Sequence, residues 1–260
     1  MKVVIFAGGI GSRISEESHL KPKPMIEIGG KPILWHIMKI YQVQGFNDFV
    51  ICLGYKGYMI KEYFMNYFLH NSDISIDISN NKVEVLQASA ESFKVTLVDT
   101  GMYTQTAGRL KRVQAYLKNE PFLLTYGDGL ADVSIKKTIA LHEKSGKVAT
   151  VTAIQPAGRF GSLEIDGKTN NVNSFIEKPS GDGFWVNGGY FVLEPGVFKY
   201  LPDNADSIMW EDEPLYALSK ASQLSAYKHT GFWKCMDAMR DRTELEELWE
   251  SGNAKWKLWK

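Results

Sequence analysis

A glycine-rich segment near the amino terminus holds the first residues that could bind a ligand. Gly8, Gly9 and Gly11 directly follow a short apolar run, and Arg13 comes two residues later. Glycine lets the backbone turn sharply and bring its N–H groups close to a ligand. Because clustered N–H donors beside a fixed cation bind anions, the segment predicts a phosphate site, and a triphosphate is the obvious ligand.

Two lysines extend this cationic segment. Lys21 and Lys23 alternate with Pro22 and Pro24, and the prolines exclude a long helix directly after the glycines. The segment therefore departs from the G-x-G-x-x-G turn of dinucleotide-binding folds, and the chain contains no G-x-x-x-x-G-K-[ST] phosphate loop. A glycine turn with solvated cations is the simpler alternative, but the ordered succession of strand, glycines, arginine and lysine favours a binding site.

Asp128 is the first candidate for a metal ligand. It lies between two glycines at the carboxyl end of the apolar run 121–125, where a carboxylate can meet a ligand without steric cover. Mg²⁺ takes oxygen ligands and commonly uses one or two carboxylates together with phosphate oxygens. An Asp-Gly pair is also common in an ordinary tight turn. The predicted phosphate site after the first strand nevertheless favours a metal ligand at Asp128.

Apolar periodicity places these residues at the ends of strands. Strands and helices alternate over much of the chain, which indicates βαβ units and a parallel sheet. We predict a single α/β domain with a mixed, mostly parallel Rossmann-like sheet flanked by helices, a smaller β-rich part and a C-terminal helix. Residues 1–155 form its first half and residues 156–260 its second. The predicted helices are 32–44, 57–70, 109–117, 134–145, 207–221 and a last one ending at 249.

Composition excludes several classes of protein. The 260 residues contain 30 basic and 30 acidic side chains, so no basic excess indicates nucleic-acid binding. No apolar run is long enough to span a membrane. The two cysteines are too few for a disulfide framework, which favours reduced thiols and a cytoplasmic protein. The five histidines lack zinc-site spacing, and we find no nucleophilic triad.

Two motifs resemble those of a known family. The strings G-G-x-G-[ST]-R and K-P-K-P-M are similar to the signature of sugar-1-phosphate nucleotidylyltransferases, with Ile14 where leucine is usual. The resemblance runs nearly end to end. It implies a Mg²⁺-assisted in-line attack of a sugar 1-phosphate on the α-phosphorus of a nucleoside triphosphate. G-Y-K-G-Y-x-I-K-E-Y-F, L-V-D-T-G and G-R-L-K-R resemble the cytidylyl branch, which implies CTP and α-D-glucose 1-phosphate as substrates and CDP-glucose as product.

The resemblance also implies the residues of the nucleotide site. Arg13, Lys23 and Asp128 are the expected catalytic residues, with Arg13 steadying the pyrophosphate and Lys23 reaching across the reacting phosphates. The segment around 100–110 implies nucleotide contacts at Thr104 and Arg109, although Ala107 replaces a glycine common there. The expected nucleotide-binding residues are Phe6, Ala7, Gly8, Gly9, Ile10, Gly11, Ser12, Arg13, Lys23, Thr104, Arg109 and Asp128.

The sugar-phosphate side and the second metal ligand rest on the same resemblance. E-K-P and N-G-G match sugar-binding segments of the family, so Lys178 is expected to hold the sugar phosphate and Glu177 its hydroxyl groups. Trp233 and Asp237 match W-x-x-x-D, which makes Asp237 the expected partner of Asp128 on the metal. The full set of expected sugar-phosphate residues is Gly161, Glu177, Lys178, Asn187 and Gly188.

Several alternatives stay open at this point. Thymidylyl or uridylyl transfer is the nearest competitor, because composition does not reveal which pyrimidine edge is bound. A non-catalytic sugar-nucleotide-binding regulator is a second alternative, and a nicotinamide oxidoreductase is a remote third. The resemblance further implies a homo-oligomer, by family habit a hexamer, and a role in the biosynthesis of surface polysaccharide.

Overall fold

A seven-stranded sheet forms the centre of the protein. The computed structural model describes residues 1–11, 19–88, 91–156, 162–166, 169–176 and 184–259. The strands of the described ranges are β1 Val3–Phe6, β2 Glu27–Ile28, β3 Lys31–Pro32, β4 Asp48–Leu53, β5 Ser72–Asp77, β6 Lys82–Ala88, β7 Lys94–Asp99, β8 Phe122–Tyr126, β9 Gly129–Ala131, β10 Ala149–Ile154, β11 Ser162–Ile165, β12 Val172–Ile176, β13 Val186–Leu193, β14 Leu224–His229 and β15 Trp233–Cys235.

Helices cover the sheet. The α-helices of the described ranges are α1 Ile33–Gln42, α2 Gly57–His70, α3 Thr106–Arg112, α4 Ile135–Ser145, α5 Glu213–Lys220 and α6 Met239–Glu250. Short 3-10 turns occur at Lys23–Met25, Gln114–Tyr116, Pro195–Tyr200 and Ala205–Ser207. None of the helices in the described ranges combines the length and apolar character that a membrane span requires.

The sheet order is β14-β10-β13-β8-β1-β4-β7. Neighbouring strands are parallel except at β13, which runs antiparallel to both β8 and β10. This arrangement confirms the predicted mixed, mostly parallel sheet. The β5–β6 hairpin and the β11–β12 pair are separate, whereas β13 and β14 from the second half of the chain extend the central sheet.

Apolar residues of the inner strands form the core. Val3, Ile5, Phe49 and Ile51 are fully buried, as expected for strands that are covered on both faces. One cluster packs β1 and β4 against α1 and the carboxyl-terminal Trp256, and the other packs the opposite face against α3. Rigid packing on both faces holds the ends of β1, β4 and β8 in register, and these ends carry the candidate site.

Two predicted helices begin three or more residues away from their predicted starts. The helix predicted at 109–117 begins at Thr106, because tertiary bonds stabilise its first turn: the Ala107 N–H donates to the Ile208 oxygen over 3.2 Å. The helix predicted at 207–221 begins only at Glu213, with Pro214 in its first turn, where proline is favoured.

Candidate active site

The cleft lies where three parallel strands end. Strands β1, β4 and β8 run side by side in the same direction, so their carboxyl ends meet at one edge of the sheet, the usual ligand position in open α/β folds. A cavity of about 360 Å³ opens at this edge. Its lining residues are Phe6, Ala7, Gly8, Gly9, Gly11, Lys23, Pro24, Thr104, Gln105, Thr106, Arg109, Tyr126, Gly127, Asp128, Met209 and Asp237.

Most of the predicted nucleotide residues lie in this lining. Ile10 is 47% exposed and does not line the cavity, so its side chain contributes no wall there. Ser12 and Arg13 lie outside the described residues, and their nucleotide contacts stay predictions. The glycine turn therefore borders the cleft as its position after β1 predicted.

Arg109 holds the glycine turn in place. Its Nη2 donates to the Gly8 carbonyl oxygen over 3.0 Å, and its Nη1 donates to the oxygen of Leu53 and to Thr100 Oγ1 over 2.9 and 2.7 Å. Burial lowers the pKa of the guanidinium. A Cβ atom on Gly8 would lie 2.1 Å from Arg109 Nη1. Arg109 thus lines the cleft, but its guanidinium donates these hydrogen bonds to other residues of the protein. It is therefore a positioning residue for the turn.

Lys23 joins two carboxylates that are far apart in the chain. It opens a 3-10 turn framed by prolines, which directs its side chain into the cleft. Its Nζ donates to Asp128 Oδ2 and to Asp237 Oδ1, each over 2.7 Å. Burial alone lowers the pKa of an ammonium, but the Asp128 charge and the hydrogen bonds to both carboxylates outweigh it and raise the Lys23 pKa. Lys23 is therefore a fixed cation at the cleft wall.

A small two-stranded sheet brings Asp128 and Asp237 together. β9 pairs with β15 in antiparallel register, with Cys235 opposite Gly129, and the Met236 N–H donates to the backbone carbonyl oxygen of Asp128 over 2.9 Å. Strand β9 follows Asp128 and strand β15 precedes Asp237, so the pairing places both aspartates at one end of the ladder.

A second acidic residue caps the final helix. The Asp241 carboxylate accepts from the backbone N–H groups of Asp237 and Ala238 over 3.0 and 2.9 Å. The carboxylate of Asp237 makes an ion pair with Lys23. Asp237 therefore lies directly before the N-cap residue of α6, with its carboxylate at the cleft.

The donor set at this point fits a divalent cation. Ligand atoms of Asp128, Cys235 and Asp237 all lie within 4.8 Å of one another. Paired carboxylate oxygens that border an open cleft suit Mg²⁺, which keeps water or phosphate oxygens in its remaining positions. Burial and the neighbouring carboxylates raise the pKa of the Cys235 thiol.

The sugar-phosphate residues are only partly covered by the structure. Gly161, Glu177 and Lys178 lie outside the described residues, so their roles stay predictions. Asn187 and Gly188 are the second and third residues of β13, and the Gly188 carbonyl oxygen accepts from Trp233 Nε1 over 2.7 Å.

Several lining residues were missed by the sequence reasoning. Thr106 Oγ1 donates to Glu211 Oε2 over 2.9 Å and accepts from the Trp210 N–H over 2.7 Å. Glu211 precedes α5 and is half-buried. Thr106 could have been found, since it begins α3 directly after the loop that follows the carboxyl end of β7. Met209, which also lines the cleft, carried no comparable signal.

The comparison with protein families shows to which family this chain belongs. The family model for nucleotidyl transferases matches residues 2–249. The chain belongs to the nucleotidyl transferase family. It is accordingly an enzyme of the nucleotidyltransferase class, as the glycine and lysine motifs indicated.

Individual relatives agree with this assignment. The chain is 57% identical to the glucose-1-phosphate cytidylyltransferase of Salmonella typhimurium (strain LT2) over 260 residues, the full length of both proteins. Among solved structures, HddC from Yersinia pseudotuberculosis superposes with a TM-score of 0.66 at 25% identity, covering 95% of this chain and 99% of that one. A UDP-glucose pyrophosphorylase complexed with UDP-glucose shares the fold, with a TM-score of 0.68, 18% identity and 96% and 98% coverage.

Proposed function

We propose that this nucleotidyltransferase transfers the cytidylyl group of CTP to α-D-glucose 1-phosphate and releases CDP-glucose and pyrophosphate. The observation that carries the proposal is the Lys23–Asp128–Asp237 constellation, in which one ammonium lies 2.7 Å from each carboxylate at the cleft wall. The full-length 57% identity to a glucose-1-phosphate cytidylyltransferase supports the choice of substrates.

The chemistry requires positioning and charge neutralisation. The nucleophile is a phosphate oxygen that is already an anion, so no serine, cysteine or histidine has to activate it. The phosphate oxygen forms a bond to the α-phosphorus of CTP while the bond to the pyrophosphate oxygen breaks. Two highly charged substrates must approach each other, and fixed cations in a shielded site lower that barrier most effectively.

Each cationic residue has a separate task in this scheme. Lys23 lies at the cleft wall beside Asp128 and would bind the reacting phosphates. We assign Arg13, which lies outside the described residues, to the pyrophosphate. Arg109 fixes the turn around Gly8, so that the backbone N–H groups of the glycine segment meet the triphosphate.

Asp128 and Asp237 would hold Mg²⁺ through their carboxylates. When bound there, the ion neutralises charge on the phosphate oxygens. Asp128 is held by its backbone bond to Met236 and Asp237 by the Asp241 carboxylate. These bonds fix the two backbone segments, and Lys23 holds both carboxylates in the absence of a metal.

The sugar phosphate would bind beside Asn187 and Gly188. Gly188 is buried next to Ile154, and its carbonyl oxygen accepts a hydrogen bond from Trp233. This bond holds the segment beside strand β15. We assign Glu177 to the sugar hydroxyl groups, Lys178 to the sugar phosphate and Gly161 to the same pocket. These three residues extend the proposal beyond the described part of the chain.

Cellular setting and assembly complete the proposal. Cys52 and Cys235 are free thiols, as is usual in the reducing cytoplasm, where we place the enzyme. Apolar side chains such as Ile78 and Leu86 on the β5–β6 hairpin and Met65 on α2 are exposed. We propose that a homo-oligomer covers them. The product CDP-glucose would supply surface-polysaccharide biosynthesis.

Pyrophosphate release tests the reaction and the base together. The assay uses Mg²⁺ with CTP, UTP, dTTP or ATP, each with and without glucose 1-phosphate. We expect release only when CTP and glucose 1-phosphate are both present. Release with dTTP or UTP instead would keep the mechanism and reject the cytidylyl assignment. Nucleotide binding without release for any pair would reject catalysis in favour of a regulatory binder.

A further inference from the structure

We propose that Cys235 is a third donor of the metal site, so that the site also binds thiophilic divalent cations through sulfur. The proposal deepens the proposed function, because it rests on Asp128 and Asp237 being the metal ligands. The suitable cations are those that accept both thiolate and carboxylate, such as Co²⁺, Zn²⁺ and Cd²⁺. Mg²⁺, which prefers oxygen, would bind the same carboxylates without the sulfur.

Strand geometry aims Cys235 at the aspartates. Side chains alternate between the two faces of a strand, and β15 follows this rule. Lys234 pairs with Asp241 over 3.1 Å and also with Glu244 on α6. Cys235 projects to the other side, where its sulfur lies within 4.8 Å of ligand atoms of Asp128 and Asp237.

The Cys235 thiol lies beside carboxylates that already bind a cation. The Lys23 ammonium already lies between the two carboxylates, so the cluster neutralises a positive charge even without a metal. Asp128 and Asp237 also line the open cleft, which leaves a path for an ion to enter. A bound ion that takes up the sulfur releases the thiol proton to the solvent and completes a mixed oxygen–sulfur donor set.

Cys52 provides a matched control on the same chain. It is fully buried on β4, and its sulfur lies 4.0 Å from the Arg109 oxygen, away from the aspartates. A cobalt–sulfur signal that depends on Cys235 and not on Cys52 therefore locates the donor. Cys235→Ser keeps an oxygen at the position, and Cys235→Ala removes the donor altogether.

The experiment is a Co²⁺ titration followed by absorbance, with and without a non-hydrolysable CTP analogue. We expect a sulfur-to-cobalt charge-transfer band in the unmodified enzyme and in Cys52→Ala, and its loss in Cys235→Ser and Cys235→Ala. Calorimetry should show Cd²⁺ affinity falling about ten-fold or more in Cys235→Ser, whereas Mn²⁺ affinity changes less than about three-fold. Circular dichroism checks that each variant is folded.

Asp128→Asn separates this inference from the proposed function. If Mn²⁺ binding requires Asp128 but Co²⁺ produces no sulfur band under either condition, the role of Cys235 is overturned and the carboxylate site stands. If Mn²⁺ binding is unaffected by Asp128→Asn, the proposed metal site itself is rejected. A band that disappears with Cys52 instead of Cys235 also overturns the inference.

Discussion

Lys23 Nζ lies 2.7 Å from Asp128 Oδ2, and the same nitrogen lies 2.7 Å from Asp237 Oδ1. The lysine thus holds the two carboxylates that we assign to the metal, and it is only 13% exposed. A metal ion that binds these carboxylates competes with the ammonium for the same two negative charges, and we expect it to release the ammonium from at least one of them. The released ammonium is then available to the phosphates, which links metal binding to phosphate binding.

Replacing Lys23 by alanine separates these two roles. We expect kcat/KM to fall about a hundred-fold or more, because a fixed charge is lost at the reacting phosphates. Mn²⁺ affinity without nucleotide should increase several-fold, since the ammonium no longer competes. Lys21→Ala is the control, because Lys21 pairs with Glu27 over 3.0 Å. Unchanged Mn²⁺ affinity in Lys23→Ala would contradict the competition, and normal turnover would contradict the catalytic role.

Neutralising either aspartate should leave a folded, nearly inactive enzyme. Asp128→Asn and Asp237→Asn keep side-chain size but remove a charge, so we expect activity to fall about a hundred-fold or more and Mn²⁺ binding to weaken. Asp132→Asn is the matched control, since Asp132 pairs with His229 over 3.0 Å. Steady-state kinetics and Mn²⁺ titration by electron paramagnetic resonance provide the test. Asp237→Asn with full activity would remove that residue from the metal site.

The two adjacent glycines of the turn should differ in their tolerance of a methyl group. A Cβ atom on Gly8 meets Arg109 Nη1 at 2.1 Å, whereas one on Gly9 meets nothing within 4 Å. Arg109 cannot move aside without losing its bonds to Leu53 and Thr100, so Gly8→Ala should cost about 1–3 kcal/mol in the free energy of unfolding. Gly9→Ala should change it by less than about 0.5 kcal/mol. Denaturant unfolding measures both, and equal effects would disprove the positioning role of Arg109.

His36 should make the fold sensitive to acid. It is fully buried on α1, where its Nε2 bonds the Ile28 oxygen over 2.8 Å and its Nδ1 accepts from Trp256 Nε1 over 3.4 Å. Burial lowers the pKa of His36 from 6.5 to about 4, and the nearby Lys31 charge acts in the same direction. A second proton on the ring would also displace the Trp256 donor.

Acid lowers the stability of the fold because the unfolded chain binds the His36 proton at a higher pH than the folded chain does. The unfolded chain takes up the proton near pH 6.5 and the folded chain only near pH 4, so stability falls as the pH falls through this window. The difference between the two pKa values corresponds to a loss of about 3 kcal/mol in the free energy of unfolding at the low-pH end of this window. Denaturant unfolding followed by tryptophan fluorescence should show this loss, and His36→Gln should reduce it. His70→Gln, at an exposed position on α2, should leave it unchanged, and an equal acid loss in His36→Gln would exclude His36 as the cause.

Local patterns were sufficient for most of the sheet. The apolar run before the glycines forms β1 and the run 121–125 forms most of β8, because continuous apolar runs between turn residues indicate buried strands directly. The two helix starts that differed depend on neighbours outside the local window. The first turn of α3 is stabilised by Ile208, a residue that no local pattern connects with it.

The sequence by itself determined the α/β class, the glycine turn after β1, and the candidacy of Lys23 and Asp128. These features depend on apolar periodicity and on residue types next to a strand end, which are local properties. Only the tertiary structure decided that Arg109 supports the turn and that Lys23 joins Asp128 to Asp237. It also brought Cys235 to the same carboxylates through the β9–β15 pair. Such relationships arise from strand pairing between distant segments, and pairing partners are chosen by the packing of the whole chain.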